Sequence, residues 1–282
     1  MGYRIGFDIG STTIKAVVLD ENNQICYKSY ERHKAQVRQK ALDKLVELKK
    51  YTKEPFKFAI SGSGALGLCE QGELPFVQEV FASATGVTKL YPETDCAIEL
   101  GGEDAKILFF QGSVEQRMNS TCAGGTGAFI DQMSTLLNMS LEEMNEASLN
   151  YHRLYPIASR CGVFAKTDIQ PLINQGVDKC DLCASIFQAV VDQTITSLAQ
   201  GRKIEGNILF LGGPLYFMSG LRKRFIETLK LSDAQVNCPE TAINFVALGT
   251  AICADQEYTY DELYKALEDL VHAPAKLTES KP

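Results

Sequence analysis

The chain contains no tryptophan and only three histidines, His33, His152 and His272. A Ser-His-Asp triad or a histidine-built metal centre is therefore poorly supplied. Basic residues are outnumbered, 28 Lys and Arg against 35 Asp and Glu, for a net charge of -7 and a pI near 5.2. That balance argues against nucleic acid or an anionic membrane as a partner. No apolar run reaches bilayer-spanning length, and the N-terminus enters a strand without a signal-peptide pattern, so the cytoplasm is the expected compartment. What remains is ordinary globular material. The chain has 282 residues, 45% hydrophobic and 22% charged, enough for one large domain or two of usual size. Nine cysteines in such a chain read first as buried, metal-binding or catalytic rather than as disulfides.

One pattern is written twice. Asp8-Ile9-Gly10-Ser11-Thr12-Thr13-Ile14-Lys15 returns as Glu99-Leu100-Gly101-Gly102-Glu103-Asp104-Ala105-Lys106. Each copy reads acid, apolar, Gly, small, three variable positions, Lys. Each follows an apolar strand and runs into another. The spacing implies two similar half-molecules with a cleft between them. Glycine turns let backbone approach a ligand closely, and their N–H groups form a nest for anions. The acids can hold Mg²⁺ directly or through water, and the Lys and hydroxyl groups can meet phosphate oxygens. A lone strand-Gly-strand is also an ordinary hairpin; the matched pair points to a nucleotide held between two halves.

The rest of the chain reads as strands and helices in the proportions of an α/β protein with helices flanking sheets. Helical periodicity covers 34–50, 76–88, 179–200, 219–230, 240–255 and 259–271, with Ser140 as the cap of a further helix. Ser61-Gly62-Ser63-Gly64 ends a strand as a flexible turn. Leu211-Gly212-Gly213-Pro214 ends another, and resembles a third nucleotide contact where a base or ribose lies on bare backbone; a tight strand-to-helix turn explains it equally well. Residues 273–282 read as a tail or linker.

Cys122 and Cys161 are the sharpest chemical feature. Each stands near glycine just before an expected helix N-terminus, where unpaired N–H groups and a positive partial charge favour a thiolate or an anionic cluster. Two thiols cannot complete a four-thiolate site, but a symmetric dimer would supply two from each subunit. Burial as a small hydrophobe is the plainer alternative. Cys180-Asp181-Leu182-Cys183 competes as a C-x-x-C but lies in a helical pattern. Cys26, Cys69, Cys96, Cys238 and Cys253 read as packing, the three histidines as surface or loop residues, and Arg222-Lys223-Arg224 as a solvated helix face.

The glycine turns and the Gly-Gly contact resemble the actin, Hsp70 and sugar-kinase superfold. Within it, ELGGEDAK (99–106), NSTCAGGTGAF (119–129) and SRCGVFAKTDI (159–169) are similar to the activators of 2-hydroxyacyl-CoA dehydratases and to the ATPase subunits of benzoyl-CoA reductase. Segment 211–231 resembles the long, multidomain activase branch. The resemblance implies two duplicated actin-like (RNase H-like) lobes with a nucleotide cleft between them. Residues 1–92 plus about 240–270 would form lobe I, and 93–239 lobe II. It implies a homodimer holding one [4Fe-4S] cluster between subunits, with Cys122 and Cys161 on the ligand positions. An electron taken from ferredoxin or flavodoxin would be driven by ATP onto a 2-hydroxyacyl-CoA dehydratase-type partner. The chain departs from the family at Glu103, where Gln is common, and at Ala123 to Ala128, where Ala-Ala-Gly-Thr-Gly-Arg is common.

On this reading ATP/ADP and Mg²⁺ occupy the glycine turns. Asp8 and Asp104 hold the Mg²⁺ shell and Glu99 orients or deprotonates the attacking water. Gly10, Ser11, Thr12, Thr13 and Lys15 face phosphate from one side. Gly101, Gly102, Glu103 and Lys106 face it from the other, with Gly125, Thr126 and Gly127 beside them and Gly212, Gly213 and Pro214 toward the nucleoside. Two other readings stand beside it, a small-molecule (amino-sugar) kinase of the same superfold and a non-catalytic nucleotide-binding module of a larger protein.

Overall fold

The computed structural model describes residues 2–119, 124–157 and 162–274. The chain divides into two compact units, Met1–Pro92 with Asn244–Pro282, and Glu93–Ile243. The first unit opens with strands β1 (Arg4–Ile9), β2 (Thr13–Leu19) and β3 (Ile25–Arg32), then helix α1 (Val37–Glu47), β4 (Phe56–Ser61), α2 (Leu66–Gly72) and α3 (Glu79–Leu90). The second unit has β5 (Cys96–Leu100), β6 (Ala105–Phe109), β7 (Glu115–Met118), α4 (Gly127–Leu137), α5 (Leu141–Ser148), α6 (Gly162–Asn174) and α7 (Lys179–Thr194). It closes with β8 (Ile208–Leu211), α8 (Gly213–Phe217), α9 (Ser219–Leu229) and β9 (Val236–Asn237). The chain then returns to the first unit through α10 (Phe245–Cys253), β10 (Gln256–Tyr258) and α11 (Tyr260–His272).

Each unit is built on a five-stranded sheet, in the orders β10-β4-β1-β2-β3 and β7-β6-β5-β8-β9. The shared part is a meander of three antiparallel strands whose first member also pairs in parallel with a later strand, β4 in one unit and β8 in the other. The written repeat is thus a repeated topology. In the first unit, Ile5, Phe7 and Ile9 alternate onto one face of β1 and pack with Ala41, Leu42 and Leu45 of α1 and Leu263, Leu267 and Leu270 of α11. Gly6 points to the other face, where an added Cβ would lie 2.3 Å from the Ala247 carbonyl oxygen, so α10 rides directly on β1. In the second unit Ile98, Leu100, Ile107 and Phe210 pack with residues of α4, α5, α6, α7 and α9.

Local signals account for some of the helix starts. Ser140 with Glu143, and Thr259 with Glu262, form capping boxes at α5 and α11. Other expectations shift. The helix expected from residue 34 begins at Val37, because Lys34 and Ala35 hold φ of +50° and +61° and cannot continue a right-handed turn. The helix expected from Glu240 begins at Phe245, after a single 3-10 turn at Ala242–Asn244. Lys179–Ala199, 21 residues at mean hydropathy 1.2, is long and apolar enough by composition to cross a membrane, contrary to the sequence reading; its window is 67% buried inside the protein. Its side chains belong to the core of the second unit.

Candidate functional site

In the first unit, Asp8 and Lys15 are cross-strand partners on β1 and β2, and Lys15 Nζ donates to Asp8 Oδ2 at 2.7 Å. The Asp8 side chain is 4% exposed, so its charge needs this partner or a cation. Between them Gly10 N–H donates to the Thr13 carbonyl at 2.9 Å, closing the turn. Ser11 and Thr12 form its exposed tip and Thr13 is buried. On the other side of Asp8, the parallel register sets Ser61 of β4 on the same sheet face. Ser61 is fully buried, and its Oγ has no hydrogen-bond partner among the described residues. A buried orphan hydroxyl beside a carboxylate is what a ligand or ordered water would satisfy.

The Ser61-Gly62-Ser63-Gly64 segment is a structured turn, not the flexible one expected. Gly62 has φ of +103°, and a Cβ there would lie 2.2 Å from the Ile9 carbonyl oxygen. Gly64 N–H donates to that same carbonyl at 2.8 Å, and Ser63 N–H donates to Glu79 Oε1 at 2.8 Å. The signal was in the sequence: glycine directly after an apolar strand, as at Gly212.

The second unit repeats the arrangement with more charge. Glu99 faces Lys106 across β5 and β6 at 3.4 Å, and Lys106 also pairs with Asp104 at 2.7 Å. The Lys106 side chain is 3% exposed. Gly101 N–H donates to the Asp104 carbonyl at 2.8 Å, and a Cβ on Gly101 would lie 2.0 Å from Asp104 Oδ1. Glu103 is exposed at the tip. Glu99 and Asp104 share the Lys106 ammonium, and with Glu103 at the tip the turn carries more acid than base, a setting that favours a divalent cation and its waters.

The remaining expected residues gather on this turn. Gly127 N–H donates to the Gly101 carbonyl at 3.0 Å and Ala128 N–H to the Gly102 carbonyl at 2.7 Å, so the first N–H groups of α4 are tied to the turn. Thr126 is fully buried, and Gly125 has φ of +82°. A Cβ on Gly127 would lie 3.3 Å from Pro214 Cγ. Gly212, with φ of +88°, brings its Cα so close to Leu100 that a Cβ would lie 2.0 Å from the Leu100 carbonyl oxygen. Gly213 and Pro214 start α8.

Cys122 and Cys161 lie outside the described residues. The helices that follow them, α4 from Gly127 and α6 from Gly162, begin five residues and one residue later. Among the described residues no three His, Cys, Asp or Glu side chains form a metal-binding group. Cys180 and Cys183 share one helix; Cys183 is buried against Met139, and burial pushes its thiol up to about 12. Burial raises both thiols, the opposite of the lowered pKa of a redox thiol.

Three readings are corrected. His33 is a loop residue, one of the two places expected for it, but a buried one rather than a surface one. Cys26 is exposed rather than packed. Arg222-Lys223-Arg224 is not a solvated face: Arg222 donates to the Tyr216 carbonyl at 2.7 Å, and buried Arg224 bonds Gln188 Oε1 at 2.8 Å and Tyr151 Oη at 2.5 Å.

The family model of the BadF/BadG/BcrA/BcrD ATPases matches residues 5–254, nearly the whole chain. The chain belongs to the BadF/BadG/BcrA/BcrD ATPase family. This ATPase is 29% identical over 258 residues to the activator of lactoyl-CoA dehydratase of Anaerotignum propionicum, covering 89% of this chain and 97% of that one. It is 26% identical over 274 residues to the 2-hydroxyisocaproyl-CoA dehydratase activator of Clostridioides difficile, covering 95% and 98%. A solved structure of the Clostridium difficile 2-hydroxyisocaproyl-CoA dehydratase activator with bound ADPNP matches with a TM-score of 0.78 at 25% identity, over 98% of this chain and 100% of that chain. The fold is that of the actin-like ATPases and sugar kinases, and the ATPase binds adenine nucleotide.

Proposed function

We propose that the protein is an ATP-dependent electron-transfer activator for a 2-hydroxyacyl-CoA dehydratase-type partner. The observation that carries this is the duplicated acid–glycine–lysine turn, found in a chain of this ATPase family whose relatives are named as dehydratase activators. Asp8 in the first turn and Asp104 in the second are the carboxylates that would hold Mg²⁺ or its waters, and the Ser61 hydroxyl beside Asp8 fits such a water or a phosphate oxygen. Glu99 orients the attacking water, held in place by Lys106. Gly10 to Thr13 and Gly101 to Glu103 offer backbone to the phosphates, and Gly212 to Pro214 to the nucleoside.

Cys122 and Cys161 of each of two subunits fit a four-thiolate set, since both precede helix N-termini and two thiols per chain make half of such a site. The [4Fe-4S] cluster held there would supply one-electron storage between a ferredoxin or flavodoxin donor and the acyl-CoA dehydratase. The chain's own contribution is the tie between the turn and α4. The α4 N-terminus is hydrogen-bonded to the Gly101–Gly102 turn, and Cys122 lies five residues before it. A nucleotide-dependent shift of that turn is transmitted to α4, and so to the segment that bears Cys122. The cytoplasm is the compartment that fits such partners.

The test is the C122S/C161S double variant, purified without oxygen. The expected result is loss of nearly all iron with ADP binding retained. Retention of iron contradicts the ligand assignment.

A further inference from the structure

The two glycine turns need the same thing and obtain it differently. In the second unit the Gly101 carbonyl accepts from Gly127 N–H at 3.0 Å. The equivalent carbonyl in the first unit is that of Gly10, and among the described residues no helix N-terminus donates to it. It faces His33 Nε2 at 3.0 Å. His33 Nδ1 accepts from Ala35 N–H at 3.1 Å, so that nitrogen carries no proton, and the neutral ring donates through Nε2. His33 N–H also donates to the Thr12 carbonyl at 3.2 Å. The imidazole is 4% exposed, which excludes competing water.

The backbone around His33 is held in an unusual shape to do this. Lys34 and Ala35 are consecutive non-glycine residues with φ of +50° and +61°, a conformation that persists only where its surroundings impose it. That shape returns Ala35 N–H to Nδ1 and sets the tautomer.

We propose that His33 is a positioning residue for the first glycine turn, fixing the peptide plane whose N–H meets nucleotide phosphate. The Gly10 carbonyl and the Ser11 N–H belong to one trans peptide and point opposite ways. Holding the carbonyl inward on His33 turns the Ser11 N–H outward, the direction an anion needs. His33 never touches the nucleotide. The inference rests on the reading of residues 8–15 as a phosphate contact.

The test compares wild type, H33F and H33Q by titration calorimetry with ADP and Mg²⁺, alongside ATP turnover. Phenylalanine fills the volume without a donor; glutamine carries an N–H near the Nε2 position. Loss of a buried hydrogen bond is worth about tenfold in affinity. The expected result is that H33F weakens ADP about tenfold and raises the ATP KM with kcat within about twofold, while H33Q stays within about threefold of wild type. H33F binding as tightly as wild type overturns the inference and leaves the phosphate reading standing. Failure of wild type to bind ADP overturns that reading itself.

A second measurement does not depend on H33F folding. The H152N/H272N variant removes the two exposed histidines and leaves His33 alone. Its long-range ¹H–¹⁵N spectrum should show the Nε2–H tautomer and shift on adding ADP and Mg²⁺. The Nδ1–H tautomer, or no response to ADP, overturns the proposal.

Discussion

Gly62 and Gly212 hold equivalent places in the two sheets. Each directly follows or ends at the strand that runs parallel to the acid-bearing one. Each has a left-handed φ, +103° and +88°, and each presses on the carbonyl of the residue after the acid, Ile9 or Leu100. The duplication therefore extends past the eight-residue repeat to a third chain segment in each unit. Within each unit it sets the bare backbone of this glycine turn against the root of the acid-bearing turn.

That contact gives a graded stability prediction. A left-handed alanine costs roughly 1–2 kcal/mol wherever it occurs. Gly112, with φ of +89° and nothing within 4 Å of an added Cβ, isolates that cost. G62A adds a backbone clash at positive φ, and G212A adds one at φ +88° and ψ 161°, a region almost closed to any side chain. The urea midpoint should fall modestly for G112A and clearly further for G212A and G62A. Equal shifts for all three would show that the close approach is not as described.

Glu99 and Lys106 give a kinetic prediction. Glu99 is buried to 7% exposure and paired at 3.4 Å, a geometry that suits orienting a water. E99Q should lower ATP turnover by about 10²- to 10⁴-fold, the usual worth of a general base, while ADP affinity stays near wild type. Normal turnover by E99Q would remove Glu99 from the chemistry.

The sequence made the acid–glycine–lysine turns and the Gly212 turn legible because each needs particular residue types at fixed offsets. The same logic covers Ser140 and Thr259, whose caps are written three residues ahead of Glu143 and Glu262. Ser61 to Gly64 was readable by the same signature, yet without an acid beside it the segment looked like slack chain. His33 was not readable. Its role comes from a φ reversal at Lys34 and Ala35 that no local preference favours, and from a carbonyl 23 residues away. Arg222 and Arg224 failed for a related reason, since a basic run in sequence does not reveal that buried acceptors await two of its side chains.

The thiols separate by environment. Burial pushes Cys69, Cys96 and Cys183 up to about 12 from an ordinary 9.0, so they stay protonated in the native protein at pH 8. Cys26 is exposed. Brief iodoacetamide treatment at pH 8 followed by peptide mass spectrometry should label Cys26 and leave those three unmodified. The linkage runs one way. Above pH 9 the unfolded chain loses these protons and the folded chain keeps them, so stability should fall as pH rises from 9 toward 12. A urea midpoint that holds constant from pH 8.5 to 10.5 would contradict the burial of these thiols.

We propose an ATPase whose nucleotide turns are coupled to an iron–sulfur cluster between two subunits. The most direct test is iron and sulfide content, with an absorbance spectrum before and after ATP, on protein purified and reconstituted without oxygen. The expected result is about four irons per dimer and a spectrum that changes when ATP is added. Protein that takes up no iron under these conditions, yet binds and turns over ATP, would contradict it.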